Sequence, residues 1–169
     1  MVGGSVFGRF GFSDVVTTFL ALDASVELYR TGTVTLEEFC SMGKVNDILT
    51  HVLLPDTPVT VSYRAHRNAA TDFPVLNTCA ARRGDRLTVT VGARPLRAVP
   101  YRFSVDDTAP TGETAARIAE EIAETAVFGS NTRASDEYRR HLCRVLVRRA
   151  VTDVLERSAG TAARAKEEE

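Results

Sequence analysis

Apolar positions recur along this chain with two different periods, and the switches between them mark out its elements. Val15, Val16, Phe19, Leu20 and Leu22 stand three or four apart behind Ser13-Asp14. This spacing, with serine as the cap, predicts a helix from about Asp14 to Leu22. Ser25 to Arg30 then alternates polar and apolar, and Thr31-Gly32 turns the chain toward Thr33-Val34-Thr35, which is the pattern of a β-hairpin. Leu36 to Ser41 predicts one or two helical turns. Asp47 to Leu54 and Val59 to Arg67 read as strands separated by Pro55-Asp56-Thr57-Pro58, and Phe73 to Ala81 and Arg86 to Val91 form a second pair around Arg83-Gly84-Asp85.

From Thr111 the period lengthens again. Ala115, Ile118, Ala119, Ile122, Ala123 and Ala126 trace one helix face that Gly129 closes. A last helix, from Asp136 to about Ser158, carries Tyr138, Leu142, Val145, Leu146, Val151, Val154 and Leu155 as its apolar stripe. Ser135 is its cap, and Asp136 and Glu137 fall in the first turn, where the helix dipole favours acids. Residues 159–169 contain charges and no bulky apolar side chain, so a flexible tail is expected there. The order of elements predicts an α+β fold, an antiparallel sheet covered by helices on one face. The strand-helix alternation of a parallel sheet is absent.

Composition narrows the function classes. With 169 residues, 44% hydrophobic and 25% charged, the chain has the content of a soluble globular protein. Its 21 basic and 22 acidic residues leave a net charge of −1, which argues against nucleic acid or an anionic membrane as partner. No signal peptide opens the sequence, and its longest aliphatic or aromatic run, Phe19-Leu20-Ala21-Leu22, is far below the ~20 residues of a membrane span. A cytoplasmic location is therefore expected. Cys40, Cys79 and Cys143 are odd in number and lack a Cys-x-x-Cys pair, so they read as small buried hydrophobes.

The strongest local chemistry is Gly3-Gly4-Ser5, read as part of a loop from Gly3 to Phe12 that feeds the helix start at Ser13-Asp14. Glycines let a backbone approach a phosphate closely, and helix-start N–H groups with small hydroxyls suit phosphates and polyols. A plain turn and an N-cap account for the same residues. Arg9, between them, is a candidate anion partner. His51, His66 and His141 are scattered and match no metal-ligand spacing, and no nucleophilic triad is visible. Arg140, Arg144 and Arg148 repeat at i, i+4, i+8 beside Arg139 and Arg149, a pattern of a solvated face or subunit contact.

Read together, four segments resemble one family. They are Gly3-Gly4-Ser5 with Ser13-Asp14 and Leu20-Ala21-Leu22-Asp23-Ala24; Asp47-Ile48-Leu49 with Leu53-Leu54-Pro55; Tyr63-Arg64, Arg67 and Asp72 to Asn77; and Arg133-Ala134-Ser135-Asp136-Glu137-Tyr138-Arg139-Arg140 with Val145 to Ala150. In combination they are similar to the FAD-binding medium subunit of the xanthine dehydrogenase and carbon monoxide dehydrogenase family, the molybdenum hydroxylases. The resemblance implies that residues 1–56 are the end of a PCMH-type FAD-binding domain and 57–158 a CO dehydrogenase flavoprotein C-terminal domain. It begins partway into the family's FAD-binding region, so the preceding subdomain, with its own glycine-rich loop for the pyrophosphate, is expected to be missing.

The resemblance also implies a cofactor and roles. Gly3, Gly4 and Ser5 would approach the phosphate and ribityl side of FAD, and Ser13 and Asp14 would bond polar groups of the flavin or ribityl chain. Leu49 would pack on the isoalloxazine, and Arg64 stands where relatives often carry a lysine near the ring. Ser5 replaces the family's asparagine, and Arg9-Phe10-Gly11-Phe12 makes a bulkier loop than the family's small residues. Electrons would come from a [2Fe-2S] small subunit, fed by a molybdenum-cofactor large subunit, and leave FAD for NAD or another acceptor. No side chain would serve as nucleophile or hold a metal. The alternative is a non-catalytic docking subunit that no longer binds FAD by itself.

Overall fold

A computed structural model of the chain describes residues 1–106 and 108–167, with backbone alone from 161 onward. Two sheets organise it. In the first, β1 (Ser25–Leu28) lies between β2 (Gly32–Thr35) and β3 (Leu49–Leu53), antiparallel to both. The β1-β2 turn closes at Gly32, whose φ of 80° is strained for residues with a side chain. The helix α3 (Leu36–Ser41) follows β2 behind a reciprocal capping box, in which Thr35 caps the Glu38 N–H and Glu38 bonds back to the Thr35 N–H.

The second sheet is an antiparallel meander in the order β4 (Thr60–His66), β5 (Leu76–Arg83), β6 (Arg86–Gly92) and β7 (Val99–Ser104). The sequence pattern misses β7. That strand contains Pro100, which lacks a ladder N–H, and it survives because it is the sheet's edge. The helices α4 (Thr111–Thr125) and α5 (Asp136–Glu167) cover one face, with Ser135 capping α5 through the Tyr138 N–H. Ile118, Ile122, Leu76, Leu87, Val89, Val147 and Val151 are buried between them and the sheet. The α+β class and the antiparallel sheet covered by helices are as expected. The helix α5 continues past its apolar stripe through residue 167, so it enters the stretch expected as a flexible tail; residues 168 and 169 lie outside those described.

The other face of that sheet is not bare. The helix α2 (Asp14–Ala21) lies across β5 and β6, with Ala21 against Cys79 and Ala81. Close approach requires Gly92: a Cβ there would come within 2.3 Å of Thr17 Oγ1 and 2.4 Å of Asn77 Oδ1. The same helix turns Val16 and Leu20 toward the first core, where Val26, Leu28, Leu36 and Phe39 are buried. It therefore joins the two cores on either side of Pro55-Asp56-Thr57-Pro58.

The expected loop from Gly3 to Phe12 is corrected by the structure, because its first part is the helix α1 (Val2–Gly8). Glycine costs about 1 kcal/mol in a helix relative to alanine. Burial offsets that here: Val6 is fully enclosed in the first core and the Phe7 ring meets Phe39 at 5.9 Å. Arg9 ends the helix in the left-handed region, φ 49° and ψ 35°, and donates to the carbonyls of Phe39, Met42 and Gly43.

Candidate functional site

The α2 face of the second sheet holds a compact polar cluster. Ser13 starts the helix by accepting the Val16 N–H at 3.2 Å, which leaves Asp14 in the first turn over β4 and β5. Tyr63 Oη and Arg67 Nη2 each donate to the Asp14 carboxylate, and Asn77 Nδ2 donates to it at 2.9 Å. The Thr17 hydroxyl lies 3.1 Å from Asn77 Oδ1 and 3.0 Å from the Ser13 carbonyl, shared between the two. Charge-assisted bonds of this kind fix a carboxylate far more firmly than neutral ones. Burial and the Asp14 hydrogen bond push the Tyr63 phenol up to about 12, so at neutral pH it is a donor. Asp14 Oδ2 receives one donor and the side chain is still 44% exposed, so the carboxylate can accept from a ligand.

Strand alternation decides which expected residues join this cluster. Tyr63 pairs with Cys79 on the α2 face, whereas Arg64 pairs with Thr78 on the α5 face. Arg64 there bonds Asp153 of α5, which Ser62 also reaches at 2.9 Å. Leu49 sits in β3, half-buried against the first core. Gly3 and Gly4 lie on α1, where an added Cβ would meet nothing within 4 Å, and Ser5 Oγ bonds back to the Met1 carbonyl. Of the expected residues, only Ser13 and Asp14 come together at the cluster. Tyr63, Arg67 and Asn77, quoted above for their resemblance alone, complete it; the period-two face through residues 63, 65 and 67 and a buried asparagine in an apolar strand are the signals that single them out.

The fit to FAD is clearest at the Asp14 cluster. A fixed carboxylate with a spare acceptor position beside a cationic donor suits the polar edge of a flavin ring, which offers an N–H between two carbonyls. Gly3-Gly4-Ser5 lies at the start of α1, where the Gly3 and Gly4 N–H groups precede the first intrahelical bond and the space a Cβ would take is open, while the Ser5 N–H is bonded to the Met1 carbonyl.

The arginine repeat of α5 resolves into separate duties. Arg139 is 1% exposed and donates to the carbonyls of Val75, Gly129 and Ala134 and to Asn131 Oδ1. Arg140 stacks over Phe128 at 5.2 Å and reaches the Ala123 carbonyl; Arg144 pairs with Glu120 at 2.7 Å. All three cysteines are buried and free, and burial lifts Cys79 and Cys143 to about 12. Among the described residues no group of three His, Cys, Asp or Glu is placed to hold a metal, and no helix is long and apolar enough to cross a membrane.

Residues 61–154, more than half of the chain, match the family model described as the CO dehydrogenase flavoprotein C-terminal domain. The chain belongs to this family. Solved structures agree on the fold. The chain is 17% identical, with a TM-score of 0.73, to quinoline 2-oxidoreductase from Pseudomonas putida 86, over 92% of its own length and 60% of that chain. It is 14% identical, with a TM-score of 0.75, to carbon monoxide dehydrogenase from Hydrogenophaga pseudoflava lacking the Mo-pyranopterin moiety of its cofactor, over 93% and 61%. Against reconstituted CO dehydrogenase from Oligotropha carboxidovorans the values are 16% and 0.71, again over 93% and 61%. The chain thus spans about three fifths of the length of these relatives. No curated protein matches it. Within the flavoprotein family, the matched segment contains Tyr63, Arg67 and Asn77, while Ser13 and Asp14 precede it.

Proposed function

We propose that this flavoprotein-family chain holds the flavin end of FAD in a cytoplasmic molybdenum-hydroxylase-type oxidoreductase. It would stand between a [2Fe-2S] subunit, fed by a molybdenum-cofactor subunit, and an acceptor such as NAD. The observation that carries the reading is the Asp14 carboxylate, held by Tyr63, Arg67 and Asn77 yet open on one side. When bound, FAD supplies the redox chemistry and the protein supplies orientation and electrostatics. Asp14 accepts from the ring N–H, Arg67 and Tyr63 keep the carboxylate aimed, and Ser13 fixes the start of the helix that bears it. Leu49 and Arg64 are assigned no direct role at the ring edge.

Titration of the protein with FAD, followed by quenching of flavin fluorescence, tests this. Saturable binding that weakens at least tenfold in Asp14→Ala is expected, since a charge-assisted hydrogen bond is worth roughly 1.5–3 kcal/mol. A protein that takes up no flavin while still co-purifying with molybdenum and iron-sulfur subunits would instead be a docking subunit.

A further inference from the structure

The two edges of the β4-β7 sheet differ. At the β7 edge, Pro100 removes a ladder donor and blunts the strand. At the other edge, β4 runs seven residues without proline or a register shift, and no strand lies on its outer side. Such an edge is a template for a further strand.

Two bonds near its ends fix the direction of its backbone groups. The His66 carbonyl accepts from the Val75 N–H at 2.8 Å, on the β5 side, and the Val61 carbonyl accepts from Arg157, on the outer side. Antiparallel pairing alternates from residue to residue. Tyr63 and Ala65 therefore turn their N–H and C=O groups outward, where no described residue bonds them.

The same alternation gives an added strand two different surroundings. One set of its side chains would lie beside Val61 and Tyr63, which are half-buried against Ala21, Cys79 and Ala81. The other set would lie on the α5 side, over a groove of about 220 Å³ lined by Arg64, Arg148, Arg149, Thr152 and Asp153.

This groove is cationic. Three guanidinium groups surround one carboxylate, and Asp153 is already bonded by Ser62 and Arg64. Arg148 and Arg149 are exposed and form no ion pair or hydrogen bond with the described residues. They are the members of the α5 arginine series that the fold leaves unused, since Arg139, Arg140 and Arg144 all bond within the chain. A second copy of the chain paired along this edge would bring arginine against arginine, and like charges facing each other across a ladder destabilise it. Carboxylates facing Arg148 and Arg149 would complete the groove.

We propose that the outer edge of β4 is a docking surface for an extended segment of a partner protein in which acidic and apolar residues alternate. Its backbone bonds Tyr63 and Ala65, its carboxylates meet Arg148 and Arg149, and its apolar side chains extend the patch at Val61 and Tyr63. No part of this surface uses Asp14, so it stands whether or not flavin binds.

The test uses the full chain and a fluorescein-labelled synthetic peptide of alternating glutamate and valine, matched to the seven residues of β4. Saturable binding by fluorescence anisotropy is expected, with amide exchange at Tyr63 and Ala65 slowed at least tenfold at saturation. A lysine-valine peptide, and the glutamate-valine peptide N-methylated throughout so that it keeps its carboxylates and loses its ladder donors, should each bind at least tenfold more weakly. Arg148→Glu/Arg149→Glu, with thermal unfolding as the fold control, should weaken binding at least tenfold. Arg30→Glu/Lys44→Glu makes the same change in net charge at exposed positions beside the first sheet and should leave it unchanged. No binding by folded protein, equal binding of the lysine or N-methylated peptide, or an equal loss in the Arg30/Lys44 pair overturns the inference. So does a dimer whose Tyr63 and Ala65 amides are protected without peptide, because a second copy would then cover the edge.

Discussion

The two faces of the β4-β7 sheet are made by the same strands and yet do different work. Toward α4 and α5 the sheet presents Leu76, Ala80, Leu87 and Val89 to a closed apolar core, with Ser62 and Arg64 of β4 bonding Asp153 of α5 at its edge. Toward α2 it presents Tyr63, Asn77, Cys79 and Gly92, with a buried hydrogen-bonded network leading out to a half-exposed carboxylate. One face stabilises by area removed from water, whereas the other stabilises by satisfying polar groups at fixed positions, which is also what recognition of a polar ligand requires. A one-residue step along β4, from Tyr63 to Arg64, crosses from the α2 face to the α5 face.

The largest expected effect is on the apolar face. Ile122→Ala in α4 empties a fully buried position and should cost about 2–5 kcal/mol in chemical denaturation, with flavin affinity of the remaining folded protein unchanged. On the polar face, Gly92→Ala should cost about 1–3 kcal/mol, because the new methyl collides with Thr17 and Asn77 and α2 must lift from the sheet. Unlike Ile122→Ala, this change should also lower flavin affinity. A destabilised Gly92→Ala with undiminished flavin binding would break the comparison.

A pH titration separates the faces further. Tyr63 is held protonated by burial and by Asp14, so its folded pKa, about 12, exceeds the ordinary value of 10.0. For such a group the stabilisation is complete below the unfolded pKa and is lost as pH rises from about 10 toward 12. The wild type should therefore lose stability more steeply across that window than Tyr63→Phe, as read by denaturation at matched pH values. The smallest effect lies away from both faces. Gly3→Ala on α1 meets no neighbour and should stabilise by about 0.5–1 kcal/mol, where a phosphate-gripping loop would have been damaged by the same change.

Much of the closed face was legible in the sequence, because burial against one partner leaves a clean period. Ala115, Ile118, Ile122 and Val151 follow the helical repeat, and Ser13 and Ser135 cap the helices they were assigned to. The open face was less legible. Asp14 is visible as a helix-start acid, but which strand residues meet it depends on register. Shifting that register by one residue would exchange Tyr63 for Arg64. The helix at Val2–Gly8 was read as a loop since glycine content speaks for local freedom, while the buried Val6 that holds it in place speaks only through tertiary packing. The edge strand β7 was hidden by Pro100.

The central claim is that flavin is held on the α2 face by Asp14 and not on the α5 face by Arg64. Flavin-fluorescence titration of Asp14→Ala and Arg64→Ala side by side tests it most directly. The account predicts at least a tenfold loss of flavin affinity in Asp14→Ala and wild-type affinity in Arg64→Ala. The reverse pattern, with Arg64→Ala weakened and Asp14→Ala unchanged, would contradict it.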